Sequence, residues 1–133
     1  METAQTITLS ESWPARVQAG LPHVELGVWP QVPEGLRPGE AIALVGPDGG
    51  TVGFGLNDPE NGLLRILAAE PGEELDGAFF RRRIASALAL RKALGLVTPM
   101  EAYRLVNAEG DGLPGFLVDV YAGHVVIFAY ARC

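Results

Sequence analysis

Short apolar runs separated by glycines and prolines make up most of the first seventy residues. Four of these runs have the length of a strand: TITL, AIALVG, TVGFGL and LLRILA. The sequence GPDGG at 46–50 lies between the second and the third run. Proline fixes φ there and glycine permits positive φ, so the sequence predicts a β-hairpin. The segment 13–38 carries five prolines and predicts irregular structure or an edge strand.

A helical pattern follows at about 76–94, the only stretch that predicts a convincing helix. Asp76 is its predicted N-cap, and Gly95 lies just beyond its end. At 100° per residue one apolar face is expected to pack on a sheet, and it contains Phe79, Phe80, Ile84, Ala87, Leu88, Leu90 and Leu94. The basic residues that point away from this face are Arg81, Arg82 and Lys92. Arg83 and Arg91 fall inside the apolar sector, so each requires a partner or a route to solvent.

Three more strands are predicted after the helix, at about 102–107, 116–121 and 124–130. The sequence YAGH at 121–124 predicts a tight turn, so the last two strands should pair in an antiparallel manner. The chain reaches Cys133 directly after a strongly apolar strand. We interpret this ending as a sign that the fold is truncated.

Composition places the chain among ordinary globular proteins. Its 133 residues are 48% apolar and 20% charged, enough for one domain or two very small ones. It has neither an apolar run of membrane-spanning length nor a signal sequence, so we expect a cytoplasmic protein without a membrane partner. The single cysteine, Cys133, excludes an internal disulfide. His23 and His124 lack companions at ligand spacing, so no metal site is expected.

The net charge of −6 is unevenly distributed. Residues 1–76 hold twelve acidic residues against three arginines, whereas 77–133 hold seven basic residues against four acidic ones. Phosphate binding depends on Lys and Arg, so a polyanion is expected to meet the second half. The candidate RNA contacts are Arg81, Arg82, Lys92 and Arg104. The alternative interpretation of the helical cations is a solvated helix face.

The sequence NAEGDGLPGFLVD at 107–119 joins two predicted strands. Its glycines allow close backbone approach or positive φ, and Pro114 stiffens the exit into the next strand. This composition is compatible with a hairpin loop that requires an unusual backbone conformation and also with a binding loop. The glycines precede a strand rather than a helix, so the segment is not predicted to be a dinucleotide or phosphate loop.

With its surroundings, YRLVNAEGDGLPGFLVDVY resembles the middle segment of the class I methyltransferases that use S-adenosylmethionine to methylate cytosine C5 of large-subunit (23S) ribosomal RNA. The resemblance continues through AIALVGPDGGTVGFGL and FFRRR and covers roughly residues 13–133. It implies an α+β fold. In this interpretation residues 1–70 form a β-rich PUA-like barrel, residues 71–133 form a strand-strand-helix-strand-strand linker domain, and the Rossmann-like catalytic domain is absent.

The family's catalytic residues have no counterparts in this sequence. The resemblance therefore implies a non-catalytic part that positions ribosomal RNA, with S-adenosylmethionine bound only in the missing C-terminal domain. Residues 20–25, GLPHVE, replace a basic, tryptophan-containing family segment, which weakens the expected RNA binding. The alternative is a stand-alone PUA-like module that has lost catalysis and serves protein interaction or weak RNA binding.

The loop motif is expected to have a structural role in either case. Its residues of interest are Asn107, Glu109, Asp111, Gly112, Pro114, Gly115 and Asp119. The carboxylates and amide near its start are candidate partners for Arg83 and Arg91 of the helix.

Overall fold

Two β-sheets and one long helix between them account for most of the computed structural model, which describes residues 5–99 and 101–130. The elements in chain order are β1 (Gln5–Thr8), α1 (Trp13–Gln18), β2 (His23–Glu25), β3 (Ala41–Val45), β4 (Thr51–Asp58), β5 (Leu63–Ala68), α2 (Gly77–Ala93), β6 (Ala102–Asn107), a 3₁₀ turn (Ala108–Asp111), β7 (Phe116–Tyr121) and β8 (His124–Ala129).

The first sheet has five strands in the order β1-β3-β4-β5-β2. β1 is parallel to β3, and the other neighbours are antiparallel. The predicted hairpin is formed by β3 and β4, with Thr51 opposite Val45. The described residues do not form the closed sheet expected of a PUA-like barrel, because β1 and β2 lie at opposite edges and do not pair. Closure would require these two edge strands to pair with each other, and they contain only four and three residues.

One face of this sheet is covered by α1. This helix was not predicted, because the prolines of the segment 13–38 favoured irregular structure or an edge strand. Pro14 lies in the first turn of α1, where the missing N–H costs no hydrogen bond. Val17 of α1 is fully buried in a cluster with Ile42 and Leu64. Trp13 packs edge to face against Trp29 with ring centroids 5.2 Å apart. This cluster forms the larger of the two cores of the five-stranded sheet.

The opposite face is covered by the start of α2. Asp76 accepts a hydrogen bond from the Phe79 backbone N–H, which caps the helix. Phe79 is fully buried, and its ring meets that of Phe54 edge to face at 6.1 Å. Leu75 completes the cluster. The N-terminal half of α2 therefore belongs to the core of the first sheet.

The second sheet consists of β6, β7 and β8, each antiparallel to its neighbour. Ala87, in the second half of α2, packs with Val106 and Leu113 against it. Within residues 71–133 the described elements are thus a helix followed by three strands, which corrects the expected strand-strand-helix-strand-strand order. The segment before α2, AEPGEELD at 69–76, lacks alternating apolar residues and forms no strand.

The predicted apolar face of α2 is only partly buried. Phe79, Ala87 and Arg91 are buried, whereas Ile84, Leu90 and Leu94 are exposed. The prediction was wrong for these three residues because it assumed one sheet along the whole helix. In the structure, α2 passes from one sheet to the other.

Close packing along β4 makes a testable prediction. A Cβ at Gly53 would lie 2.5 Å from the Leu67 carbonyl oxygen and 3.0 Å from Val17 Cγ1. We expect Gly53→Ala to lower the free energy of unfolding by about 1–3 kcal/mol, measured by urea denaturation. Gly77→Ala is the matched control, because its nearest atoms are 4.0 Å away, and its stability should be unchanged or slightly raised. Equal stabilities of the two variants would contradict the packing argument.

Candidate nucleic-acid interface and the network behind it

Two of the four candidate RNA contacts, Arg81 and Lys92, are exposed on α2. Among the described residues, neither Arg81 nor Lys92 takes part in an ion pair. They are eleven positions apart, about 16 Å along the helix axis. Both side chains can therefore reach phosphates of an extended backbone without first breaking an ion pair.

The other two candidates are already engaged with carboxylates. Arg82 contacts Glu73, with the terminal guanidinium nitrogen 2.7 Å from Oε1. Arg104 binds both oxygens of Asp119, at 2.7 and 3.0 Å. The hydrogen bond from Arg104 holds the pKa of Asp119 below its usual range, although burial opposes the shift. A phosphate at either arginine would have to compete with these carboxylates.

Arg91 forms the most enclosed of these pairs, with Asp111 of the loop motif. The two nitrogens lie 2.5 and 2.7 Å from the carboxylate oxygens, and the side chains are only 10% and 6% exposed. Arg91 also donates to the Arg104 carbonyl, and Asp111 accepts the Asn107 backbone N–H at 2.6 Å. Burial raises the pKa of Asp111, but the bonds from Arg91 and Asn107 outweigh it and lower the pKa. The loop is thereby fixed to α2.

Arg83, the second arginine inside the apolar sector, has a different partner. Its guanidinium donates to the Ala68 carbonyl at the end of β5 and lies over the Phe79 ring, 4.5 Å from the centroid. It also passes Gly112, where a Cβ would be 2.5 Å from the guanidinium. Gly112 has φ of +68°, a conformation that also favours glycine. The structure thus pairs Arg83 with a backbone carbonyl and not with a loop carboxylate.

Glu109 faces the first sheet instead of α2. Its carboxylate lies 3.5 Å from Arg65 and accepts a hydrogen bond from the Tyr130 hydroxyl at 3.1 Å. Arg65 is held in turn by the fully buried Asp58, at 2.9 Å, and Asp58 also accepts hydrogen bonds from Asn61. The sequence-based prediction missed this network. Its available signal was a lone arginine in the apolar strand LLRILA.

The remaining motif residues shape the loop itself. Pro114 and Gly115 are buried, and the Gly115 carbonyl accepts the Tyr130 backbone N–H at 3.0 Å. Gly115 has φ of +90°, and Asp119 is buried beside Arg104. The polar groups of the motif are therefore used in internal contacts. This arrangement matches the hairpin interpretation of the loop more closely than a binding loop.

Residues 5–99 and 101–130 contain no cluster of three or more potential metal ligands. The two connections from a strand to a helix are not rich in glycine: β1 leads to α1 through LSES, and β5 leads to α2 through AEPGEELD. No helix within these ranges is long and apolar enough to cross a membrane. Cys133 lies outside the described residues.

Two solved structures share this fold. A putative SAM-dependent methyltransferase from Streptococcus mutans matches with a TM-score of 0.68 at 16% sequence identity, over 94% of this chain and 33% of that chain. A putative methyltransferase complexed with SAH gives a TM-score of 0.69, also at 16% identity, over 94% of this chain and 32% of that chain. At this identity the likeness concerns the fold alone. The matched region makes up about a third of each of these two chains.

Sequence relatives are more specific. Over 89 residues the chain is 42% identical to Ribosomal RNA large subunit methyltransferase I of Shewanella amazonensis, covering 66% of this chain and 22% of the relative. The protein of that name from Alteromonas mediterranea is 34% identical over 92 residues, 68% of this chain and 23% of the relative. No family model matches the chain. The chain spans about a fifth of the length of these relatives. Their sequence identity to this chain supports the predicted resemblance to ribosomal RNA methyltransferases.

The buried Arg91–Asp111 pair makes a prediction for stability. Asp111→Asn leaves a buried arginine without its counter-charge, so we expect the free energy of unfolding to fall by about 3 kcal/mol. The matched control is Glu73→Gln, which breaks the more exposed pair with Arg82 and should cost less than about 1 kcal/mol. Urea denaturation at neutral pH measures both. Similar losses of unfolding free energy in the two variants would contradict the larger contribution expected from the buried Arg91–Asp111 pair.

The same pair predicts a dependence of stability on pH. The pKa of Asp111 is lowered by folding, so its contribution is present above the unfolded value of about 3.9 and is lost as pH falls through the folded pKa. Wild type should therefore lose stability more steeply than Asp111→Asn between neutral pH and the acid limit. Parallel stability curves for the two proteins would show that Asp111 is not stabilised as a carboxylate.

Proposed function

We propose that this chain is the RNA-positioning part of a ribosomal RNA methyltransferase and is itself non-catalytic. The observation that carries the proposal is the 42% identity to one region of Ribosomal RNA large subunit methyltransferase I, a region that makes up only 22% of that relative. In this proposal residues 1–70 are the PUA-like unit and residues 71–133 the linker unit. S-adenosylmethionine and methyl transfer belong to a further domain of the whole protein, and its location is the cytoplasm.

The proposed RNA surface is the outer side of α2. Arg81 and Lys92 are its primary contacts, because their charges are not offset by ion pairs within the described part of the chain. Arg82 and Arg104 contribute more weakly, since each shares its charge with a carboxylate. Such contacts position an RNA backbone without reading its sequence. The ribosomal RNA would be held on α2, in the basic half of the chain.

A second candidate function is a protein-interaction module. Two observations favour it. Two of the four candidate RNA contacts, Arg82 and Arg104, form ion pairs with carboxylates. In addition, residues 1–76 contain twelve acidic residues and only three arginines. In this case α2 and its surroundings would bind RNA only weakly. The two functions differ in the salt dependence of RNA binding.

RNA binding provides the first test. We expect the chain to bind a fluorescent single-stranded fragment of large-subunit ribosomal RNA, with affinity that falls as salt rises. Arg81→Ala with Lys92→Ala should weaken binding and reduce the slope of log affinity against log salt by about 0.7 for each phosphate that is no longer neutralised. Fluorescence anisotropy across a salt series measures both effects.

The matched control for this test is Arg16→Ala with Arg37→Ala, which removes the same charge from the first half of the chain. Both side chains are exposed and lie far from α2 in sequence. Equal losses in the two double variants would indicate a general charge effect and would remove α2 from the site. Binding that does not respond to salt would favour the protein-interaction module.

Cofactor binding provides the second test. Titration of S-adenosylmethionine into this chain should show no binding by calorimetry, because neither described connection from a strand to a helix is the glycine-rich turn of the family. Titration of SAH into the putative methyltransferase that was solved with it serves as the positive control. Clear micromolar binding by this chain would place a cofactor site within it and overturn the non-catalytic role.

A further inference from the structure

The second sheet has one face that points away from α2. Val118 of β7 packs against the cluster that contains Ala87 of the helix, so Asp119 and Tyr121 point to the other side. Contacts on that side agree with this assignment, because Arg104 binds Asp119 and Tyr121 donates its hydroxyl hydrogen to the same carboxylate at 3.3 Å. Strand register adds three residues of β8. The open face defined in this way contains Arg104, Asp119, Tyr121, His124, Val126 and Phe128.

Planar side chains make up much of the exposed surface of the open face. Tyr121 is 47% exposed and Phe128 is 50% exposed. His124 is also exposed, and it lies directly opposite Tyr121 on the neighbouring strand. Phe128 lies four residues beyond His124, which corresponds to about 13 Å along the strand. The rings therefore form two separate platforms rather than one packed cluster.

The exposed charge of the open face is positive. Arg104 and Asp119 form an ion pair, but the arginine side chain is 45% exposed and the carboxylate side chain only 9%. Asp119 accepts hydrogen bonds from Nε and Nη2 of the guanidinium, whereas Nη1 donates to no residue within 5–99 and 101–130. A ligand that approaches this face meets the N–H groups of a cation before it meets the carboxylate. The open face is thus complementary to an anionic ligand with aromatic parts.

Single-stranded RNA combines these features. Its phosphates can accept hydrogen bonds from Arg104, and its unpaired bases can stack on exposed rings of an antiparallel sheet. The separation of the two platforms is much larger than the roughly 3.4 Å step between stacked bases, so each platform would take a different base of a splayed strand. In a duplex the bases are already stacked and paired. An apolar protein surface would bury the Nη1 hydrogens of Arg104 without acceptors, which is costly.

We propose that the open face binds unpaired bases of RNA. One base stacks on Tyr121 beside His124, and another stacks on Phe128. The free N–H groups of Arg104 donate to the phosphate backbone between the two bases.

This inference rests on the RNA-positioning function proposed above and adds to it a site for bases. Arg81 and Lys92 are placed on the outer side of α2, whereas the open face lies on the side of the second sheet that points away from α2. The two surfaces are therefore separate. Loss of stacking at the open face and loss of phosphate contacts at α2 can be measured independently of each other.

Binding of a short single-stranded RNA that contains 2-aminopurine tests the proposal, because the fluorescence of this base falls when it stacks. Tyr121→Leu with Phe128→Leu keeps apolar surface but removes both rings. The double variant should raise the dissociation constant by about tenfold for each ring and lose the quenching of 2-aminopurine. It removes no charge, so the slope of log affinity against log salt should be unchanged.

The matched control is Val125→Ala with Ile127→Ala. These residues alternate with those of the open face along β8, so they point to its other side, and they are also exposed. The control should bind the RNA and quench 2-aminopurine like wild type.

Three results would overturn the proposal. Wild-type affinity and quenching in the leucine variant would remove the open face from RNA binding while leaving the contacts of α2 in place. Equal losses in the leucine variant and the control would assign the effect to β8 as a whole. A wild-type chain that binds no RNA would overturn the proposed function together with this inference. Thermal unfolding shows whether each variant is folded, and Tyr121→Leu alone replaces the double variant if that one unfolds.

Discussion

Buried arginine–carboxylate pairs hold the two sheets in one arrangement. Arg65 of the first sheet binds Asp58 of its own sheet and reaches Glu109 in the turn after β6. Arg91 of α2 binds Asp111 in the same turn. A buried charge is costly unless a counter-charge and hydrogen bonds compensate it, so each pair tolerates little displacement. The turn at 108–111 is therefore fixed from both sides.

This arrangement explains why a basic half of the chain offers few available cations. Arg83 donates a hydrogen bond to the Ala68 carbonyl. Arg91 and Arg104 form ion pairs with carboxylates of the second half of the chain. The formal charge of residues 77–133 is consequently a poor guide to the potential that RNA would meet. Arg81 and Lys92 differ from the others because they lie on the side of α2 that faces neither sheet. The proposed interface is small for that reason.

The sequence was a good guide to the elements and a poorer guide to their assembly. Alternation and turn residues locate the hairpin at 46–50, the strands after α2 and the cap at Asp76, because these depend on local preferences. The helix Trp13–Gln18 escaped prediction because proline content favoured irregular structure. The exposure of Leu94 and the open five-stranded sheet depend on where neighbouring elements end. No local pattern contains that information.

The same distinction applies to the arginines inside the apolar sector of α2. Helical periodicity shows that Arg83 and Arg91 need partners, because charge burial is a local consequence of their positions. Periodicity does not predict whether the partner is Asp111 or a backbone carbonyl, because the partner depends on which sheet lies under each turn of the helix. α2 crosses from one sheet to the other between Phe79 and Ala87, so Arg83 lies within that crossing and Arg91 lies beyond it. Arg83 therefore meets the end of β5, whereas Arg91 meets Asp111 in the loop at 107–119.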